Sequence, residues 1–371
     1  MMKHILILGT GNAQVDAVNL CKQLGLKVYA CSYNNYGRAT KLADKFELID
    51  IADTDKVKRF TEDNHIDIVY SVGSDLAMPT ACAVSEQLGL PQFVSYETAD
   101  ICTNKDKLRQ ELLKNGKGNI GYQVVTSKKE SLNIPYPFIL KPVDSQGQRG
   151  VRLINNSEEY ATYFDITMQY SKAGRVIIEE YIEGLEVSVN AYLCNGNIVF
   201  FAVSDRITWD QYPGGLIHKH LYPSRLIAIE EMEPVLTLVS DTVETLKITN
   251  GPVYFQLKFK NNEPKIIEVT PRLDGCHLWR LLKYATSVDL LEMAYKHLLG
   301  ESPMIENCIN PATSSNYCLE FYCEVPYGKV DYDKYNLSEA LYLDWYYRSG
   351  EEVKPINGYF EKVGYVIKEH N

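Results

Sequence analysis

The hydrophobic positions along this chain change rhythm part-way. Over the first hundred residues, short apolar runs alternate with stretches in which apolar residues recur every three positions. HILILG, His4 to Gly9, reads as a buried strand, and Val15, Val18, Cys21 and Leu24 then share one face of a helix. KVYAC (Lys27–Cys31) and DIVYSVG (Asp67–Gly73) are further strands, and MPTACAVSEQLG is a further helix. This alternation predicts a parallel sheet with crossover helices. The polar stretch Thr103–Asn119 reads as a helix with a glycine-containing end that closes the unit.

From Val124 onward the pattern is one of strands and loops. FILKP (Phe138–Pro142) is a strand, and VDSQGQRGVRLI (Val143–Ile154) is a hairpin built on glycines. VIIEEYIEGLEVSVNAYL (Val176–Leu193) is two strands around a bend. VYFQLKF (Val253–Phe259) and KIIEVT (Lys265–Thr270) form a hairpin joined by Asn261 to Pro264. Taking Asn262 as its centre sets Gln256 opposite Glu268, with Thr270 on the same face by parity. Helical patterns follow in LWRLLKYA and DLLEMAYKHLLG. The tyrosine-rich tail from Ser302 reads as a small β-rich region with amphipathic tyrosines at its edges, or as a sugar- or partner-binding surface. There is no internal repeat and no low-complexity segment.

The bulk numbers narrow the class. A chain of 371 residues has room for two or three domains. A net charge of −10 argues against nonspecific nucleic-acid binding, which needs a basic surface. The nine cysteines are scattered without a CxxC pair, which fits reduced thiols and a cytoplasmic location better than disulfides or zinc. The first apolar run is too short for a signal peptide, and no run approaches the ~18 residues of a membrane span.

Two glycine loops bear on chemistry. GTGNAQ (Gly9–Gln14) follows a strand and opens a helix, as in a dinucleotide site, but Gln14 replaces the third glycine. Cys31, Ser32 and Tyr33 stand where an acid would bind ribose. It therefore reads as a tight turn whose helix N-terminus has room for an anion. The second loop carries Ser145, Gly147, Arg149 and Gly150 directly after Lys141. A lysine with backbone N–H groups is what a polyphosphate needs, although the GKS or GKT of a P-loop is missing.

Two more stretches complete the candidate site. Glu179, Glu180 and Glu186 crowd a strand–bend–strand with apolar flanks, so at least one acid is expected to face a cleft. Gln256 and Glu268 facing each other, with the Thr270 hydroxyl beyond, suit Mg²⁺, which takes few protein oxygens. Arg272 just past the strand is placed to neutralise a transferring phosphoryl group or an oxyanion.

In chain order, Lys105, Lys141, the glycine loop, EEYIEGLE, Gln256 and EVTPR resemble the ATP-grasp superfamily. They are most similar to its carbamoyl-phosphate-synthase-like and amino-acid-ligase branches. The resemblance implies a mixed α/β and α+β fold. A parallel α/β pre-ATP-grasp domain (1–102) would precede a two-lobed ATP-grasp domain (103–300, smaller lobe about 120–185) and a small β-rich C-terminal subdomain (301–371). It implies that Lys105 and Lys141 contact ATP phosphates under the loop bearing Ser145, Gly147 and Gly150. Glu179 would accept from the adenine amino group, the backbones of Glu180 and Ile182 would read the adenine edge, and Glu186 would bind ribose. Gln256, Glu268 and Thr270 would ligate Mg²⁺ (or Mn²⁺), and Arg272 would sit beside the reacting groups. Thr270 stands where the family has asparagine, and Asp274 where it more often has glycine.

The implied activity is ATP-dependent ligation, in which a carboxylate is activated as an acyl phosphate and captured by an amine. The partners are then small-molecule acids and amines, without nucleic acid or membrane, and a homodimer is among the expected assemblies. The segment Asp205–Ser224, with Arg206, Trp209, Tyr212, His218, Lys219, Gly214 and Gly215, reads either as the lining of the acceptor pocket or as a surface loop. Arg206, His218, Lys219 and Arg272 are its candidate substrate contacts, and Trp279 and Arg280 either face the cleft or pack. The competing readings are a non-catalytic ATP sensor or assembly protein, supported by Thr270, and an NAD-dependent oxidoreductase, opposed by the broken glycine fingerprint.

Overall fold

A computed structural model describes residues 2–184, 186–209, 215–227, 232–303, 305, 308–356 and 360–370. Tyr212, Gly214 and Tyr359 lie outside the described residues. Strands β1 (His4–Leu8), β2 (Lys27–Ser32), β3 (Lys45–Leu48) and β4 (Ile68–Tyr70) form a parallel sheet in the order β3-β2-β1-β4. Helices α1 (Asn12–Gln23), α2 (Thr54–Asp63) and α3 (Ala77–Leu88) connect them and lead out of the sheet. Ile5 and Ile7 enter one core and Leu6 and Leu8 another, so β1 is covered on both faces. That is why its sequence is an unbroken apolar run.

Helices α4 (Tyr96–Thr103) and α5 (Lys105–Leu112) lead to a small antiparallel sheet. Its strands β5 (Tyr122–Val125), β6 (Phe138–Pro142), β7 (Arg152–Ile154) and β8 (Val176–Glu180) run in the order β5-β8-β6-β7. Helix α6 (Ser157–Met168) packs on one face through Tyr160 and Phe164, against Phe138, Leu140, Ile154 and Ile178.

The large sheet contains β9 (Glu186–Cys194), β10 (Asn197–Thr208), β11 (Ile217–Tyr222), β12 (Gly251–Lys260) and β13 (Glu263–Thr270). Between and after these lie α7 (Met232–Thr245), α8 (Leu278–Thr286) and α9 (Leu290–Leu298). The strands β14 (Cys308–Ile309), β15 (Tyr317–Glu324), β16 (Ala340–Trp345) and β17 (Glu361–Glu369) join the same sheet, ordered β13-β12-β9-β10-β11-β15-β17-β16 with β14 on β10. The C-terminal strands thus extend the large sheet. They also carry a satellite core in which Tyr322, Tyr332 and Tyr335 gather around Trp345. Their hydroxyls donate to Asn336 O, Tyr347 O and Glu324, so these tyrosines serve packing.

The β12–β13 hairpin reaches the expected pairing by a different route. Its turn is the two residues Asn261 and Asn262, at φ 53° and 63°, because asparagine tolerates the left-handed region that a tight hairpin turn needs. Glu263 and Pro264 belong to the edge strand. A one-residue register shift after Gln256 then restores Gln256 opposite Glu268. No helix among the described residues is long and apolar enough to cross a membrane.

Candidate active site

The small sheet has two faces of opposite character. Phe138, Leu140 and Ile154 point into its core, so alternation puts Ile139, Lys141 and Leu153 on the other face, where Glu179 pairs with Ile139. That face lines a cavity of about 890 Å³, which is also lined by Gln256 and Lys258 of β12 and by Ile267 and Glu268 of β13.

Lys141 and Glu179 are buried together. Glu179 is 2% exposed, and its carboxylate holds Lys141 Nζ at 2.5 Å and Arg109 Nε at 2.8 Å. Arg109 also donates to Ile266 O and Ile267 O, at 2.6 and 3.1 Å, so it ties α5 to the edge strand of the large sheet. Burial raises the Glu179 pKa, but Arg109 and Lys141 together outweigh it and hold the acid at about 2. Burial lowers the Lys141 pKa, and Arg109 and Lys105 add to this against the attraction of Glu179. The two shifts thus have different causes: burial leads for Lys141, and the neighbouring cations outweigh burial for Glu179. With both oxygens engaged by cations, Glu179 orients Lys141.

Lys105 reaches the glycine loop, with its amide bonded to Val143 O and its Nζ donating to Ser145 O at 2.7 Å. Ser145 and Gly147 line the cavity. Gly150 does not; a Cβ there would come within 2.9 Å of the Tyr170 ring, so it anchors the base of the loop. At the loop's other end, Gln148 Nε2 donates to Gly215 O. Along the bend, Glu180 pairs with Lys260, and Lys258 Nζ donates to Ile182 O at 3.0 Å.

Glu186 accepts from Arg206 and, at 2.5 Å, from Gln256 Nε2. That bond turns the Gln256 amide nitrogen away and leaves its carbonyl oxygen without a partner among the described hydrogen bonds. Glu268 lies opposite and also lines the cavity. An amide oxygen beside a carboxylate is the donor set a hard cation such as Mg²⁺ takes, so these two residues fit the metal. Thr270 is placed differently: it is 2% exposed, paired across the strands with Tyr254, and outside the cavity lining. Its hydroxyl is buried without a hydrogen-bond partner among the described residues, although Tyr254 opposite it lines the cavity.

Arg272 is buried and fixed. Its Nε donates to Asp75 at 2.7 Å and one terminal nitrogen to Leu273 O at 2.8 Å. Asp75 and Gly73 follow β4, so the parallel domain closes this end of the cavity. A Cβ on Gly73 would stand 2.8 Å from Gly275 Cα. Asp274 accepts from the amides of Cys276 and Leu278 at 2.5 and 3.0 Å and holds the loop before α8. Trp279 packs in the core and Arg280 pairs with Asp16, so neither faces the cleft. Arg206 and Trp209 line the cavity; His218 and Lys219 do not. They line a second cavity of about 350 Å³ behind Trp209, where both approach Glu320. The dinucleotide-like turn is likewise outside the main cavity, and Gln14 folds over its glycines while donating to Val72 O.

Reading along the chain misses Arg109, Asp75 and Lys362, all of which line the cavity. Only Arg109 had a signal: Lys105, Leu108, Arg109 and Leu112 share one helical face.

Residues 134–278 match the family described as an ATP-grasp domain. It is this segment, less than half of the chain, that is similar to an ATP-grasp domain. A formate-dependent phosphoribosylglycinamide formyltransferase from Prochlorococcus marinus is 27% identical over 338 residues, covering 85% of this chain and 81% of its own length. A protein of Sinorhizobium fredii is 24% identical over 285 residues, and the matched region spans 73% of this chain but only 57% of that relative. Among solved structures, an L-amino acid ligase from Bacillus licheniformis superposes with a TM-score of 0.81 at 18% identity, covering 99% of this chain and 93% of its own. The fold of that ligase is thus shared over nearly the whole chain, and the cavity lies where the small and large sheets face each other.

Proposed function

We propose that this ATP-grasp protein is an ATP-dependent, ADP-forming ligase that activates a carboxylate as an acyl phosphate and joins it to an amine. One observation carries the reading: the buried Lys141, held by Glu179, faces the same cavity as the Gln256–Glu268 pair. Lys105 and Lys141 bind the ATP phosphates, and Ser145 and Gly147 close over them. Glu180 and Ile182 present backbone at the adenine edge, and Glu186, partnered by Arg206, lies toward the ribose. Gln256 and Glu268 would hold Mg²⁺, which supplies charge neutralisation for the transferred phosphoryl group. Arg272, made rigid by Asp75, stabilises developing charge at the reacting carboxylate. Phosphoryl transfer of this kind rests on positioning and charge neutralisation. Closure of the loop excludes water from the acyl phosphate.

The reading carries with it small-molecule substrates, a cytoplasmic location and no nucleic-acid partner, with a homodimer as the assembly to look for by size-exclusion chromatography with light scattering. The sensor alternative rested on Thr270, which lies outside the cleft, so no specific observation favours it.

The test is ADP release from Mg·ATP against a matrix of amino, hydroxy and sugar acids paired with amines. ADP that appears only with a particular pair and vanishes in Glu268→Gln supports the ligase. Absence of thermal stabilisation by Mg·ATP in the unaltered protein would refute it.

A further inference from the structure

Four cations on the wall of the main cavity make no ion pair with an acid among the described residues. Lys105, Arg149 and Lys258 donate instead to backbone oxygens, of Ser145, Gln146 and Ile182. All three lie beside the glycine loop or the bend after β8, where the proposed function places phosphates and base. Lys362 is the exception in position. It comes from β17, and its Nζ lies 3.3 Å from Cys276 Sγ and 3.6 Å from the centroid of the Phe321 ring.

A thiol and a ring face compensate an ammonium only weakly. Leaving a half-buried cation without an acid is costly, and the cost is recovered when an anion enters. The surroundings are built for such a group. Cys276 is held by its amide bond to Asp274, and Gly275 is pressed against Gly73. The neighbouring Arg206 spends its terminal nitrogens on Glu186 and Gly215 O, while its buried Nε has no partner.

We infer that Lys362 anchors an anionic group, a carboxylate or a phosphate, of the co-substrate at the end of the cleft marked by Cys276 and Arg206. One of the ligated substrates then carries an anion beyond the carboxylate that reacts. This rests on the ligase reading for the word co-substrate, but the site itself is testable without turnover.

Cys276 serves as the reporter. Its alkylation by N-ethylmaleimide is followed by peptide mass spectrometry, with inorganic phosphate, succinate or neutral acetamide as probe, at matched ionic strength. Cys194 and Cys308 are half-buried, line neither cavity and provide internal controls. The expected result is that phosphate or succinate slows modification of Cys276 on the order of tenfold, the worth of one charge-assisted hydrogen bond. Acetamide does nothing. Lys362→Met abolishes the protection and Lys362→Arg restores it, each judged as the ratio of rates with and without probe. Whichever probe protects identifies the group. No protection in the unaltered protein, or equal protection in Lys362→Met, overturns the inference. Mg·ATP stabilisation, measured on the same proteins, separates the two readings. If it persists without anion protection, only the anchor fails; if it is absent while anion protection persists, the ligase reading fails and the anion site stands.

Discussion

Glu179→Gln removes one charge from a cluster of three and leaves the shape nearly unchanged. The acid is fully buried, so its electrostatic worth needs no discount for solvent. Its displacement from an ordinary 4.5 to about 2 corresponds to about 3 kcal/mol at neutral pH. An independent guide agrees, since breaking a buried pair from one side costs roughly 3–5 kcal/mol. Here the orphans are Arg109 and Lys141, and the loss falls on the small sheet and on the tie from α5 to β13. Global melting of a chain with several cores mixes domains, so hydrogen exchange of the β6 and β8 amides is the better assay. The sign follows from the depressed pKa. The stabilisation is complete above the pKa of an unfolded glutamate, about 4.3, and fades as pH falls toward about 2. The variant should therefore open about 3 kcal/mol more easily at pH 7, with the gap narrowing below about pH 4. Lys141→Met added to Glu179→Gln should recover part of the loss, because one orphaned cation is gone. A cost under ~1 kcal/mol, the scale of an exposed pair, or a gap that does not change with pH, would refute this account of the cluster.

Other expectations follow from the same structure. Gly73→Ala places a Cβ against Gly275 at a positive φ and should cost about 2 kcal/mol in thermal melting, with weaker Mg·ATP stabilisation. Asp75→Asn releases the Arg272 guanidinium and should cost about 3 kcal/mol while lowering ADP release; unchanged turnover would show that Arg272 needs no such support. Burial raises the Glu320 pKa, but bonds from His218, Lys368 and Lys219 outweigh it and hold the acid well below its usual range. Its stabilisation is present above about pH 4.3 and lost as pH falls below that. Because Glu320 is partly solvated, screening limits the cost of Glu320→Gln to about 1 kcal/mol. Added salt should shrink that cost in melting curves.

The parts of the site legible in the sequence are those made by neighbours along the chain. The glycine loop that follows it marked Lys141, and hairpin pairing placed Gln256 against Glu268, although the turn has two residues where four were expected and a bulge restores the pairing. What stayed hidden are partnerships across long separations. Arg109 shares a helical face with Leu108 and Leu112, but the acid it pairs with is seventy positions away. Asp75 meets Arg272 across 197 positions. His218 and Lys219 failed for another reason: composition marked their segment as binding-like, but the β10–β11 hairpin turns them behind Trp209 toward Glu320. The small β-rich C-terminal region was expected from its strand-like, tyrosine-rich pattern and is present, whereas its backbone pairing into the large sheet leaves no trace in composition.

The position of β17 between β15 and β16 has a consequence for biosynthesis. A growing chain can complete the nucleotide end of the cleft once β13 and its loop have been made, well before residues 361–369 exist. During that interval β15 has an unsatisfied edge, and β16 has no neighbour in the sheet. An open edge on a half-made sheet is a site for wrong pairing, and non-local strand insertion is slow. The nascent chain should thus pass through a state competent to hold nucleotide yet exposed to self-association. It would leave that state only when β17 slots in and brings Lys362 to the wall of the cleft.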